Sequence, residues 1–312
     1  MRLLVGIPAY DEELSIAAVI RAVPRMAPGV TSVQVLVVDD GSRDATAQLA
    51  EEAGAIVLRH GNNQGLGNAF RTMVRYAVVE KYDVLVTLDG DGQFDASQIP
   101  LLLEPLQKRQ ALVATASRFL DPSKVPQMPW IKKWGNRRVA NLVSALTGRR
   151  YADVSCGFRA YAREALLQLT VHHPFTYTHE TFLDLASKRV PFAEVPLTVR
   201  GVREHGKSKM ASSVLRYGFR TASILLRTYR DHRPLAACAW AAVPLLLIGV
   251  VLFVLSFLHW QQYGTWLKWA AFTAAGLAAT AIGLLFVGFI ADILTRLRMN
   301  QEEILFWLRR GA

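Results

Sequence analysis

Val33-Gln34-Val35-Leu36-Val37-Val38-Asp39-Asp40-Gly41-Ser42-Arg43-Asp44-Ala45-Thr46 decides the fold. A run dominated by Val and Leu ends abruptly in two carboxylates and a glycine, and Ser42 or Asp44 then stands where the next helix takes its cap. This is a buried strand passing through a turn into a helix. The same succession occurs on either side, where residues 3–7 lead into Pro8-Ala9-Tyr10-Asp11-Glu12 and residues 84–88 into Asp89-Gly90-Asp91-Gly92-Gln93. Further apolar runs lie at residues 55–58 and 111–116, and helix-like stretches at residues 12–25, 44–53, 67–80 and 97–109 separate the five. The alternation predicts an α/β domain with a mainly parallel sheet. Its three polar clusters then share the carboxyl edge of the strands, where open α/β sheets bind ligands.

No Gly-x-Gly-x-x-Gly follows the first strand, which argues against a dinucleotide-binding Rossmann site. Gly65-x-Gly67 reads as loop and helix-start geometry. Asp89 and Asp91 stand two apart just past a strand, with Gly90 and Gly92 leaving room for close approach. That spacing suits a hard divalent cation such as Mg²⁺ or Mn²⁺, with positions left for substrate phosphates, and an acidic turn without ligand is the other reading. Asp39 is placed to accept hydrogen bonds from a base or ribose, a role compatible with capping by its neighbours. Asp153 and Ser155 are explicable as caps of the turn before a helix near residues 162–169. His179, His205 and the pair His172-His173 have no metal-ligand spacing and are assigned loop or surface roles.

The chain changes solvent near Pro234. Residues 235–290 contain Lys268 as their only Lys or Arg, and residues 235–258 and 266–290 are each long enough to cross a hydrocarbon core of ~30 Å. Trp240, Trp260, Trp266 and Trp269 lie near the ends of these runs, and residues 259–265 form the turn. Arg227, Arg230 and Arg233 precede the first span and Arg296 and Arg298 follow the second, so the positive-inside rule puts both termini in the cytoplasm. Residues 1–7 are too short and run into too acidic a stretch for a signal peptide. The net charge of +11 selects no partner by itself, but much of it sits in residues 200–233, against the apolar end. There Arg216, Arg220, Arg227 and Arg230 recur at helical spacing beside an apolar stripe, as in an interfacial helix or a solvated charged face. Cys156 and Cys238 give neither a disulfide framework nor a metal spacing, which fits a reducing compartment. The expected organisation is a catalytic domain over residues 1–211, an amphipathic interfacial helix over 212–234, a two-helix transmembrane hairpin over 235–291 and a cytoplasmic tail over 292–312. Gly249, Gly276, Gly283 and Gly288 offer the hairpin a packing or homo-oligomer surface.

The three clusters in this order resemble the family 2 glycosyltransferases of the GT-A fold. Ser117-Arg118-Phe119, Asp153-Val154-Ser155-Cys156-Gly157-Phe158-Arg159 and Arg203-x-x-Gly206-x-Ser208-Lys209-Met210 resemble the branch of dolichyl-phosphate mannose synthase and the bacterial polyprenyl-phosphate glycosyltransferases. The resemblance covers most of residues 1–210. It implies that Pro8, Tyr10, Glu12 and Asp39 surround the nucleoside, and that Asp89, Asp91 and Gln93 hold the metal and the donor diphosphate. It implies that Arg118, Lys132 and Asn136 meet the acceptor phosphate, although members often carry Arg and Ser at the last two places. Arg203, Ser208 and Lys209 look like the loop that closes over the donor phosphates. Asp153 stands where related enzymes with hydroxyl acceptors have their base, and here it orients basic groups or the acceptor, so that Asp91, Arg118 and Asp153 form the expected catalytic set. The implied reaction is inverting transfer of one sugar from a nucleotide-sugar, UDP-glucose ahead of GDP-mannose, to undecaprenyl or dolichyl phosphate at the cytoplasmic face of a bilayer, with no nucleic acid involved. A processive polysaccharide synthase is the alternative enzyme, but its Gln-x-x-Arg-Trp signature is lacking. A non-catalytic scaffold that binds nucleotide-sugar is the alternative outside enzymes.

Overall fold

The computed structural model describes residues 1–126, 128, 130–170, 177–200, 223, 227, 229–231 and 233–311. Each of the five apolar runs forms a strand: β1 (Arg2–Ala9), β2 (Ser32–Asp39), β3 (Ile56–Arg59), β4 (Val84–Thr87) and β5 (Val113–Ser117). Between them lie α1 (Ile16–Ala22), α2 (Thr46–Glu52), α3 (Leu66–Val79) and α4 (Ile99–Gln107). Beyond β5 the chain adds α5 (Trp130–Thr147), β6 (Arg159–Ala162), α6 (Arg163–Gln168), α7 (Thr178–Ser187) and β7 (Phe192–Pro196).

The seven strands form one sheet in the order β3-β2-β1-β4-β6-β5-β7. Only β6 runs against its neighbours, pairing antiparallel with β4 and β5, while the other pairs are parallel. Strands buried on both faces carry continuous apolar runs, and β1 divides its side chains accordingly. Leu3, Val5 and Ile7 pack with Ile16, Val19 and Ile20 of α1 and Leu102 and Leu103 of α4, whereas Leu4 joins Phe70 and Met73 of α3 on the other face. A smaller cluster joins α5 to α7 through Ala140, Val143, Tyr151, Val154, Phe182 and Leu183. The Tyr151 and Phe182 rings meet edge-on at 4.8 Å there.

The chain divides into two compact units, Met1–Leu225 with Phe306–Ala312, and Leu226–Leu305. The second is built on α8 (Pro234–Tyr263) and on α9 (Lys268–Gly311) as far as Leu305, both helices long and apolar enough to cross a membrane. Helix α8 ends at Gly264, whose φ of 70° and N–H bond of 2.8 Å to the Trp260 carbonyl close it in left-handed geometry. Small side chains face the pair's contact: Ala242, Gly249 and Ser256 of α8 are buried, as are Ala270, Ala274 and Ala281 of α9. A Cβ on Gly249 would stand 3.3 Å from the Ala274 carbonyl oxygen, and one on Gly288 2.7 Å from the Cys238 Cβ. Gly276 and Gly283 have nothing within 4 Å, so the expected four-glycine surface reduces to two glycines between the helices. Helix α9 continues unbroken through the expected tail to Gly311. The amphipathic segment expected over residues 212–234 lies almost wholly outside the described residues.

Candidate active site

At the carboxyl edge of the sheet the three polar clusters are joined by one another's side chains. The Asp11 N–H donates to Ser42 Oγ at 2.8 Å, the Arg43 N–H to Asp11 Oδ1 at 2.9 Å and the Glu12 N–H to Thr46 Oγ1 at 2.8 Å. Asp44, one residue before the N-cap Ala45, accepts the Thr46 N–H at 3.0 Å at the start of α2. The Ser15 hydroxyl, buried, donates to the Gly90 carbonyl at 2.7 Å and ties the first cluster to the third. Pro8 and Glu12 are half-buried beside this junction, and the Pro8 carbonyl oxygen lies 3.5 Å from where a Cβ on Gly90 would stand.

A cavity of about 500 Å³ opens beside Tyr10, between Ser42 and Arg59 and under Asn62 and Asn63. Asp39 underlies it. Its carboxylate is fully buried, with Oδ1 accepting the Ser42 N–H at 3.0 Å and Oδ2 3.1 Å from Arg59 Nε. Oδ2 makes no hydrogen bond among the described residues, and its charge is met by the Arg59 guanidinium. Asp40 shapes the cavity's far wall: its oxygens accept the Gln64 and Gly65 N–H groups at 3.0 and 2.7 Å, and Oδ1 lies 2.7 Å from His60 Nδ1. His60 Nε2 is in turn 2.9 Å from Thr72 Oγ1 of α3. This loop packs so closely on Gly41 that a Cβ there would stand 2.7 Å from the Asn62 carbonyl carbon, and φ at Gly41 is 79°. Only glycine meets both demands.

Asp91 is buried, and its Oδ1 accepts the Gln93 N–H at 3.0 Å. Asp89, half-buried, lies against Gly157, where a Cβ would come within 3.1 Å of its Oδ1 and 3.3 Å of its Oδ2. Gly157 thus keeps one side of that carboxylate clear. Among the described residues no group of three or more His, Cys, Asp or Glu converges. The residues expected to hold a metal, Asp89, Asp91 and Gln93, would offer two carboxylates and an amide oxygen, hard ligands few enough to leave positions for phosphate oxygens. Mg²⁺ and Mn²⁺ fit such a set.

Arg118 follows β5 and is clamped by Asp153. Nε donates to Oδ2 at 2.6 Å, Nη2 to Oδ1 at 2.9 Å and the Arg118 backbone N–H to Oδ2 at 3.2 Å. Nη2 also donates to Ser155 Oγ at 2.8 Å, and the Ser155 hydroxyl donates to Asn136 Oδ1 of α5. Burial alone would raise the Asp153 pKa, but the Arg118 charge and these hydrogen bonds outweigh it and hold the carboxyl below the usual range. The Asp153 carboxylate also accepts the Ser155 N–H at 3.1 Å, but this turn leads into β6 instead of capping α6, which starts at Arg163. A single loop thus touches both centres, with Asp153 and Ser155 on Arg118 and Gly157 on Asp89. Four residue steps span at most about 14 Å.

Arg203, Ser208 and Lys209 lie outside the described residues, as do the side chain of Lys132 and His172, His173 and His205. His179 corrects an expectation: it is 1% exposed on α7 rather than at the surface. Burial and then the Arg159 charge lower its pKa to about 4. Burial likewise pushes the Cys156 thiol up to about 12, which makes it unreactive at neutral pH. Arg59, His60 and Glu194 were not legible as site residues. The first two lie in a loop without a motif, and Glu194 alternates with apolar neighbours on β7.

Comparison with known proteins gives consistent results. A family model described as Glycosyl transferase family 2 matches residues 4–170. The undecaprenyl-phosphate mannosyltransferase of Micrococcus luteus is 30% identical over 69% of this chain and 90% of its own length. The polyprenol monophosphomannose synthase of Mycolicibacterium smegmatis is 31% identical over 69% of this chain and 83% of its own. An uncharacterized protein of Methanocaldococcus jannaschii, 31% identical over 52% of this chain, is covered over 65% of its length. Among solved structures, glucosyl-3-phosphoglycerate synthase from Mycobacterium tuberculosis in complex with Mn²⁺ and UDP-glucose has a TM-score of 0.57 at 20% identity, over 73% of this chain and 78% of that one. That last likeness is one of fold.

Proposed function

The chain belongs to glycosyl transferase family 2, in the polyprenyl-phosphate branch of the GT-A glycosyltransferases, and from that premise we propose that it moves one sugar from a nucleotide-sugar to a polyprenyl phosphate at the cytoplasmic face of a membrane. The observation that carries the reading is the loop from Asp153 to Gly157, which holds Arg118 at one end and borders Asp89 at the other. A cation-binding carboxylate pair and a fixed guanidinium thereby face opposite halves of one transfer.

On the donor side, Tyr10 and the cavity beside it take the nucleoside, and Asp39, whose Oδ2 pairs with Arg59 beside that cavity, accepts from its base or ribose. Asp89, Asp91 and Gln93 hold Mg²⁺ or Mn²⁺, which when bound neutralises charge on the departing nucleoside diphosphate. Arg203 and Lys209 add cations and Ser208 a hydroxyl toward the donor phosphates. On the acceptor side, Arg118, with Lys132 and Asn136, orients the lipid phosphate. A phosphate monoester has its second pKa near ~6, so the attacking oxygen is already anionic and needs little from a base. Asp153 accordingly serves to aim Arg118, since both its oxygens are engaged. The phosphate oxygen forms a bond to the anomeric carbon as the bond to the diphosphate oxygen breaks, the electron pair leaving with the nucleoside diphosphate. In-line geometry inverts the configuration. UDP-glucose ranks ahead of GDP-mannose as donor.

Two features support a membrane setting. The helices α8 and α9 are apolar enough to span a bilayer, and the basic residues flanking them favour both termini on the cytoplasmic side. The test incubates purified protein with radiolabelled nucleotide-sugars, Mn²⁺ or Mg²⁺ and polyprenyl phosphate. An organic-extractable product with one sugar per lipid is expected, and Asp91→Ala should abolish it without unfolding the protein. A water-soluble polymer, or undiminished turnover in that variant, would refute the reading.

A further inference from the structure

We propose that Glu194 is a positioning residue for the acceptor phosphate: from β7 it holds the backbone of Ala152 and Asp153 so that the Asp153 carboxylate meets Arg118 squarely. The inference rests on Arg118 being the acceptor-phosphate ligand.

The geometry is specific. The Ala152 N–H donates to Glu194 Oε2 at 2.9 Å and Oε1 at 3.1 Å, and the Asp153 N–H donates to Oε1 at 3.0 Å. One carboxylate thus captures two consecutive backbone N–H groups in a stretch that belongs to no helix or strand. The next carboxylate along the chain, that of Asp153, then grips the Arg118 guanidinium with two parallel bonds. Glu194 and Arg118 are brought to the same loop by pairing of adjacent strands. Glu194 of β7 is in register with Thr115 of β5, and β5 ends immediately before Arg118.

Electrostatics argue that the carboxylate serves the site. Burial raises the Glu194 pKa and the Asp153 charge raises it further, opposed by the Ala152 and Asp153 N–H groups. A second carboxylate thus stands close to that of Asp153. A merely structural loop anchor could be a neutral acceptor, whereas this one tolerates like-charge repulsion and holds two donors with a single rigid group. A bidentate arginine pair loses alignment with small shifts of its partner, so a displaced Asp153 backbone would rotate Arg118 away from an incoming phosphate. In Glu194→Gln an NH₂ group faces the Ala152 N–H. In Glu194→Asp the carboxylate falls short of one donor.

The test uses the full-length protein with metal, nucleotide-sugar and polyprenyl phosphate, and determines KM for each substrate separately. Glu194→Gln should raise the acceptor KM by about tenfold or more, since small misplacements of a positioning group cost this much, while donor KM and nucleotide-induced thermal stabilisation stay at wild-type values. Glu194→Asp should fall between the two. In an Arg118→Lys background the Glu194→Gln change should add little, because both act through one contact. If Arg118→Lys raises the acceptor KM and Glu194→Gln does not, the positioning role is wrong and the acceptor site stands. If Glu194→Gln weakens donor and acceptor alike, or prevents folding along with Glu194→Asp, the residue is general scaffold and the inference fails. An acceptor KM unmoved by Arg118→Lys overturns the acceptor reading itself.

Discussion

His179 shows how far one side chain sets the protein's response to acid. Its imidazole is 1% exposed and has its pKa lowered to about 4 from 6.5, first by burial and then by Arg159. The native state therefore keeps it neutral where the unfolded chain takes up a proton. Below pH 6.5 the unfolded state binds more protons and stability falls with pH until about 4, where native His179 also protonates. The expected loss is about 2 kcal/mol between pH 6.5 and 5. Glu194, its pKa raised by burial, contributes with opposite sign above 4.5, so the comparison that isolates His179 is wild type against His179→Gln. Denaturation of both proteins in detergent at the two pH values should show a flatter dependence for the variant, and identical slopes would contradict the assignment. Legibility at this scale followed chain position. Tyr10, Asp39, Asp89 and Asp91 stand at strand ends, where side chains emerge from the sheet, and could be singled out from sequence. His179 and Glu194 owe their environments to contacts with loops distant in the chain, which periodicity does not encode.

Helix α5 departs most from an ordinary surface helix. Its inner face carries Ala140 and Val143 into the cluster with Phe182, and Asn136, bonded to Ser155, extends that face to the acceptor site. Its outer face exposes Trp130 at 74% and Trp134 at 53%, with Lys133, Arg137 and Arg138 around them and the Arg138 guanidinium 5.3 Å from the Trp134 ring centre. Indole rings among basic residues belong at a lipid headgroup layer. Trp130→Ser with Trp134→Ser should therefore cut turnover of membrane-embedded polyprenyl phosphate by about fivefold or more, given roughly 1–3 kcal/mol for partial burial of two rings. Turnover of a short, water-soluble prenyl phosphate should be unchanged, and an equal loss on both acceptors would speak against contact with lipid. The interfacial helix expected at residues 212–234 is a separate segment, and α5 is not legible in the sequence, because its tryptophans and cations sit on one face without the long apolar run that marks a span. Strands β1 to β5 were legible because burial on both faces makes them continuous apolar runs. Strand β6 was not, since it carries Arg159, which is fully buried and donates to the carbonyls of Val154 and Thr178 and to the Thr181 hydroxyl.

At the scale of the whole chain, the apolar hairpin adds no group to the chemistry, so its contribution is one of concentration. A lipid phosphate confined to a bilayer meets an anchored enzyme in a thin layer, whereas a soluble domain must first find the membrane. Cutting after Arg233 removes α8 and α9 and leaves every residue assigned to donor, metal and acceptor. Nucleotide-sugar binding should persist in that fragment, together with transfer to a short soluble prenyl phosphate. Transfer to polyprenyl phosphate in vesicles should fall by about a hundredfold or more, in line with loss of an effective concentration in the millimolar range. What remains should depend on salt, because the fragment then reaches anionic lipid through the Lys and Arg side chains of α5 and of residues 200–233, whose attraction is screened beyond a Debye length of ~8 Å at physiological ionic strength. The full chain, with α8 and α9 present, should lack that salt dependence. Vesicle assays of both proteins across a salt series separate the cases: parallel curves of equal height would mean that the hairpin does not serve to keep enzyme and acceptor in one layer.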